Sequence, residues 1–181
     1  MAIGRVSSKN VLEAATGGSE TELARKGDRY ALTFTMPSMS YAESLEFAGI
    51  DRAGVTVVME VQQPGVVVGA PPDPRVKGAG QAGTTLIIDG LGNGYQMKRG
   101  WFLSVITGGQ RFLYRLAEPA VATAGGEALL TLQEMLRAPH ADNDVVEIVT
   151  PKIEGYVRDL KETEVGVDHE VVLQFTVRER E

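Results

Sequence analysis

Cysteine is absent from this sequence and histidine is nearly so, with His140 and His169 the only imidazoles. Without thiols there is no disulfide framework and no Cys-type zinc site. Two histidines leave little material for imidazole catalysis or a His-rich metal cage. Long apolar runs are also missing: none approaches the ~20 residues that a membrane-spanning helix needs. The opening residues, Met1-Ala2-Ile3-Gly4-Arg5-Val6, lack the apolar core of a secretory signal. We therefore expect synthesis in a cytoplasm, no Sec export and no membrane partner. Positive charge is in deficit, with a formal net charge of −6. A nucleic-acid footprint needs clustered Lys and Arg, so no nucleic-acid partner is expected.

What is present is ordinary for a folded domain: 181 residues, 43% hydrophobic and 23% charged. That is enough chain for a single sizeable core. The 21 glycines suit tight connections between short strands. The stretch Thr84–Leu132 shows this best. Trp101–Ile106 reads as one strand, Thr107-Gly108-Gly109-Gln110 as a turn, and Arg111–Leu116 as the next strand. In the second strand Phe112, Tyr114 and Leu116 alternate with Arg111, Leu113 and Arg115, which predicts one buried face and one wet or partner-facing face.

The same period of two recurs along the chain. Tyr30, Leu32, Phe34 and Met36 mark a half-buried strand that Pro37 ends. Ser38 or Ser40 then caps a helix of about ten residues that Gly49 stops. Tyr41, Leu45 and Ala48 share one face of it, set to cover an open side of the sheet. Val55, Val57, Met59 and Val61 mark another strand. Pro64 to Pro74 is a proline-rich surface loop, followed by strands at Arg75–Lys77 and Leu86–Ile88. Leu130 and Leu132 point inward from a strand within Gly126–Gln133, and further strands are predicted at Val145–Val149 and Gly155–Leu160. Val171, Leu173, Phe175 and Val177 close the series. Roughly eight to ten short strands at this spacing predict a mainly β protein, a single-domain antiparallel β-sandwich or barrel with one short helix. Residues 1–27 read as an N-terminal arm or strand-plus-loop, and 28–181 as the β domain.

No constellation for catalysis, cofactor or metal binding emerges. Gly78-Ala79-Gly80-Gln81-Ala82-Gly83 matches the letters of a dinucleotide loop. The β-branched Thr84–Ile88 that follows cannot be the helix such a loop must open, and no acidic ribose partner sits about 20 residues on. A turn or bulge is the expected reading. His140, Asp142 and Asp144 are a candidate cation cluster without calcium-loop spacing, expected instead to be a solvated hairpin loop. Asp168-His169-Glu170 reads as a turn before the last strand, and Glu43 and Glu46 as solvated helix carboxylates. Trp101, Phe102, Phe112 and Tyr114 are expected mostly in the core rather than on a stacking platform.

Several segments in order resemble one family. Arg29-Tyr30-Ala31-Leu32-Thr33-Phe34-Thr35-Met36-Pro37-Ser38-Met39 is similar to an opening strand of the pattern aromatic-x-hydrophobic…L-P-x-M, followed by a short helix with Ala42 and a strand after Ala53-Gly54. Lys77–Leu86 resembles a V-x-G-A-x-Q-x-G-x-x-L link. Lys98-Arg99-Gly100-Trp101-Phe102 stands where related chains read x-x-G-D-φ, with Trp101 in place of the acidic residue. Arg111-Phe112-Leu113-Tyr114 is similar to an R-L-Y strand, Ala124–Leu130 and Leu136-Arg137 continue the run, and Phe175-Thr176-Val177-Arg178-Glu179 resembles a final F-x-hydrophobic-x-E strand.

The family is the short distal tail proteins of long-tailed bacteriophages and related tail-like particles, and the likeness covers roughly residues 28–181. It implies a structural virion protein with no enzymatic activity and no cofactor. It would form a homohexameric ring at the tail tip, joining the tail tube protein to the hub or baseplate proteins, and be assembled in the host cytoplasm. The galectin-like second domain of larger members has no room in this chain. On that reading the arm 1–27 and the loop Val66–Pro74 are the candidates for intersubunit contacts. Another tail or connector component, such as a tail terminator or tube-like protein, and a small-ligand or nucleotide-binding β-barrel are the alternative readings.

Overall fold

The computed structural model describes residues 2–6, 10–12, 21–23, 29–165 and 170–180. The described strands, in chain order, are β1 (Ala2–Val6), β2 (Asn10–Leu12), β3 (Thr21–Leu23), β4 (Arg29–Thr35), β5 (Val57–Glu60), β6 (Arg75–Val76), β7 (Thr85–Asp89), β8 (Gln96–Met97), β9 (Phe102–Thr107), β10 (Gln110–Arg115), β11 (Ala120–Val121), β12 (Ala128–Thr131), β13 (Val145–Glu147), β14 (Lys152–Val165) and β15 (Glu170–Glu179). The fold is mainly β and antiparallel, as the alternation predicts. A five-stranded sheet runs β1-β4-β15-β14-β5 and a six-stranded sheet runs β10-β9-β13-β6-β7-β12. β8 with β11, and β2 with β3, form two-stranded pieces.

The five-stranded sheet is built on the last strand. Val171, Leu173, Phe175 and Val177 are all buried, at the spacing the sequence shows. Val177 pairs with Leu32 on one side and Val157 on the other, so apolar residues meet across three strands. β14 and β15 approach so closely at Gly155 that a Cβ there would lie 2.0 Å from the Arg178 carbonyl oxygen. Gly155→Ala is therefore expected to cost about 1–3 kcal/mol through forced strand displacement. A urea unfolding curve checks this, and an unchanged midpoint would contradict it.

The six-stranded sheet curls until its two outer strands touch. Leu116 bridges Leu132, and the Gln133 N–H donates to the Arg115 carbonyl at 2.9 Å. The predicted hairpin is present, with Gly108 and Gly109 both at positive φ between β9 and β10. Leu86, Ile88, Leu103, Val105, Tyr114 and Leu130 fill the interior of the curl.

A second core, around Tyr30, Leu32, Ile153, Phe175 and Val177, lies between the two sheets, and Phe102 and Leu113 reach into it. Leu113 is thus packed in a core rather than on the expected wet or partner-facing face, while Arg111 and Arg115 beside it stay partly exposed. Leu113 is fully buried, while Phe112 on the supposed core face is only partly so. Alternation reports which residues share a face; it does not say that the opposite face stays in water.

The helix also differs from expectation. Ser40 caps it in a reciprocal capping box with Glu43, but the α-helix spans only Tyr41–Ser44 before a 3-10 turn at Leu45–Phe47. Tyr41 and Leu45 are 61% and 54% exposed, and Ser44 is the buried residue. An apolar stripe needs more than one turn to form, so this segment caps the start of β15, where Met39 bridges Val171, and presents its apolar side chains outward.

Candidate interaction surface and the glutamate-sealed edge

β10 is an outer strand of its sheet, and outer strands carry a row of unpaired N–H groups. Here that row is sealed by side chains. The N–H of Arg111 donates to Glu154 (3.0 Å), that of Leu113 to Glu179 (2.8 Å) and that of Arg115 to Glu134 (2.6 Å). All these carboxylates are buried: Glu154 on β14, Glu179 on β15, and Glu134 just past β12. The facing carbonyls are used too, since Leu113 O accepts from Arg137 Nη2 at 2.7 Å.

Glu179 is the hub. Its Oε1 also accepts from Arg137 Nη2 (2.7 Å), and its Oε2 from Arg137 Nη1 (2.6 Å) and the Tyr30 N–H (2.8 Å). One carboxylate thereby ties β4, β10, β15 and the segment after β12. Burial works against the Arg137 charge, but the Glu179 carboxylate outweighs it and holds the guanidinium pKa above its ordinary value. The Tyr30 hydroxyl donates to Glu134 at 2.7 Å, adding a second link to β4.

A further chain of hydrogen bonds extends from Arg137. Its N–H donates to the Tyr114 hydroxyl (3.2 Å), which lies 2.9 Å from His140 Nε2. Nδ1 of the same ring lies 2.6 Å from Thr107 Oγ1, which donates to Asp144. With the Thr107 hydrogen on Asp144, Nδ1 donates, and in the neutral ring Nε2 accepts from Tyr114. The burial of His140 favours that neutral form. Burial, helped by the nearby Arg137 charge, pushes its pKa down to about 4 against the pull of Asp144. Burial likewise raises the Tyr114 pKa.

The loop expected to be solvated is therefore closed at His140, which has no solvent exposure. Asp142 accepts from the Gly78 N–H at 2.7 Å and Asp144 from the Ala141 N–H at 2.8 Å, so these carboxylates pin backbone rather than converge. Among the described residues no group of three or more His, Asp or Glu is placed to hold a metal ion.

The Gly78–Gly83 loop is a turn that precedes β7 and opens no helix. The Gly78 and Gly80 N–H groups are spent on Asp142 and the His140 carbonyl. The Gln81 side chain plugs the loop, donating to the Lys77 and Ile87 carbonyls and accepting from the Ile87 N–H at 2.6 Å. A phosphate cradle needs those N–H groups free.

Trp101, Phe102 and Tyr114 are in the core as expected, and Phe112 packs partly against it. Glu43 is exposed and serves the capping box, and Glu46 is exposed. Glu170 opens β15, while Asp168 and His169 lie outside the described residues.

Sequence reasoning missed Glu134, Glu154, Arg137 and Thr107, and it did not assign Glu179 a buried role. For two of them a signal exists. Glu134 continues the inward phase of Leu130 and Leu132, and Glu179 that of Phe175 and Val177. A carboxylate in the apolar phase of a strand needs donors waiting for it. A third cluster joins β13 to β9 and β14. Glu147 accepts from Ser104 (2.7 Å), Arg111 (3.1 Å) and Lys152 (3.0 Å). Burial would raise the Glu147 pKa, but these donors outweigh it and hold it low. Ser104 is fully buried, so it presents no nucleophile to a substrate.

With β10 sealed, the outermost strands of the other sheet, β1 and β5, are its edges. Beside β5, two valines stand out from the surface. Val67 is 89% exposed and Val149 50% exposed. The loop holding Val67 is anchored by the Tyr95 hydroxyl, which donates to the Val68 carbonyl at 2.5 Å. Among the described residues no helix is long and apolar enough to cross a membrane. No family model matches the chain, and no curated protein matches it either.

Proposed function

We propose that this chain is a structural protein of a phage tail tip, a distal tail protein whose copies close into a ring between the tail tube and the hub. What carries the reading is the tertiary work of the residues that make the resemblance. Tyr30, Tyr114, Arg137 and Glu179 come from separate motifs, and each makes a long-range polar link. A family signature scattered along a chain is what a fold held by such links would leave behind.

The ring itself needs heterologous surfaces that close by rotation. The β1 and β5 edges suit pairing between neighbours. The arm 1–27, which contains β1, and the loop Val66–Pro74, which lifts Val67 into solvent, are our candidates for the contacts. Native mass spectrometry and negative-stain imaging of the purified chain test the reading. The expected result is a closed ring of about six copies. A chain that stays monomeric at high concentration overturns it, and a deletion of residues 1–27 that still closes the ring overturns the role of the arm.

A further inference from the structure

A cavity of about 300 Å3 lies between the segment Gln63–Val66 and the residues Gly100, Phe102 and Arg115. Gln62, whose amide carries both a donor and an acceptor, lines it, and Arg115 and Gln63 supply held donors. Arg115 Nε donates to the Gly100 carbonyl at 2.9 Å, and its guanidinium carbon stands 5.1 Å from the centroid of the Phe102 ring. These two contacts fix the plane of the fork while its terminal nitrogens meet no acceptor among the described residues. Gly100 leaves room for them: a Cβ there would lie 3.4 Å from Nη2. Gln63 is oriented as well, because its Oε1 accepts the Phe102 N–H at 2.8 Å, which leaves its Nε2 as a donor. Pro64, Val66 and the Phe102 ring supply apolar walls.

We propose that this cavity binds a carboxylate carried on a short apolar stem. A held guanidinium takes a carboxylate bidentately, and an amide donor beside it with apolar walls around suits the stem. Exposed Lys98 and Arg99 precede Gly100 and add positive charge. Glu60, which lines the neighbouring cavity, and Glu134, which takes the Arg115 backbone N–H, oppose it. These opposing carboxylates weaken the hold on an anion. The carboxylate could belong to a free organic acid or to another polypeptide. The inference stands apart from the ring reading, and its test reads ligand contact rather than assembly.

Saturation-transfer NMR on the full chain tests it with sodium benzoate, benzamide, and a tripeptide ending in Phe as its free acid or its amide. Benzoate is expected to show saturable transfer, with benzamide weaker by about tenfold for want of the charge. Arg115→Gln should abolish the transfer. Val66→Trp, which fills the cavity and leaves the Arg115 contacts in place, should abolish it with an unchanged circular dichroism spectrum. Tighter binding of the tripeptide acid than of benzoate identifies a polypeptide source, and weaker binding a free acid. Equal transfer from benzoate and benzamide, no saturable transfer, or undiminished transfer in Val66→Trp overturns the proposal.

Discussion

Glu179→Ala is expected to lower the unfolding free energy by about 3–5 kcal/mol, the range for removing one partner of a buried ion pair. The Arg137 side chain is 9% exposed and Glu179 2%, so the guanidinium, left with its bond to the Leu113 carbonyl, has little access to water in place of the lost carboxylate. The Tyr30 and Leu113 N–H groups lose their acceptor in the same step. For a chain of this size the loss corresponds to a fall of roughly 10 °C in Tm.

The double variant Arg137→Met with Glu179→Leu separates the ion pair from the edge seal. It removes both charges and should recover part of the loss. It should still fall about 2 kcal/mol short of the parent, because the two backbone donors remain orphaned. Urea unfolding of the parent and the two variants reads this directly. A Glu179→Ala cost under about 1 kcal/mol would mean that the carboxylate does not organise the edge of β10.

The second large effect is one of pH. His140 has its pKa pushed from 6.5 down to about 4 in the fold. Between those values the unfolded chain binds the extra proton and the folded chain does not. The contribution is complete above 6.5, shrinks as pH falls through the window, and is lost below about 4. The shift corresponds to about 3 kcal/mol of stability. The groups facing the ring are Thr107, Tyr114, Asp144 and Arg137, and a protonated ring would turn an N–H toward a Tyr114 oxygen that already accepts from Arg137. His140→Leu should therefore be less stable than the parent at pH 7, with the gap closing towards pH 4. Parallel stability curves for the two proteins across that window would show that the imidazole is not held neutral.

Much of the fold was legible because its signals are local. The Gly108-Gly109 turn, the inward set of β15 and the stop at Pro37 each depend on a few consecutive residues. The helix was misjudged on local grounds as well: the capping box starts it, but nothing in the spacing of Tyr41, Leu45 and Ala48 shows that it runs only to Ser44. The candidate site was legible in one part, the proline-rich loop that carries Val67. Its other part, the cavity beside Arg115, was not, because Gln63 and Arg115 meet only when β9 and β10 pack beneath that loop.

Sequence by itself determined the class of this protein: a mainly β chain, without thiols and with strands whose inward residues can be named. Only the tertiary structure decided that Leu113 of β10 lies in a second core, that Glu134, Glu154 and Glu179 close that strand's edge, and that His140 is buried and neutral. The physical reason is range. Side-chain alternation is fixed by neighbours along the strand, whereas the Glu179 carboxylate finds its donors 66 and 149 residues away. No spacing in the chain encodes which buried N–H a distant carboxylate will meet.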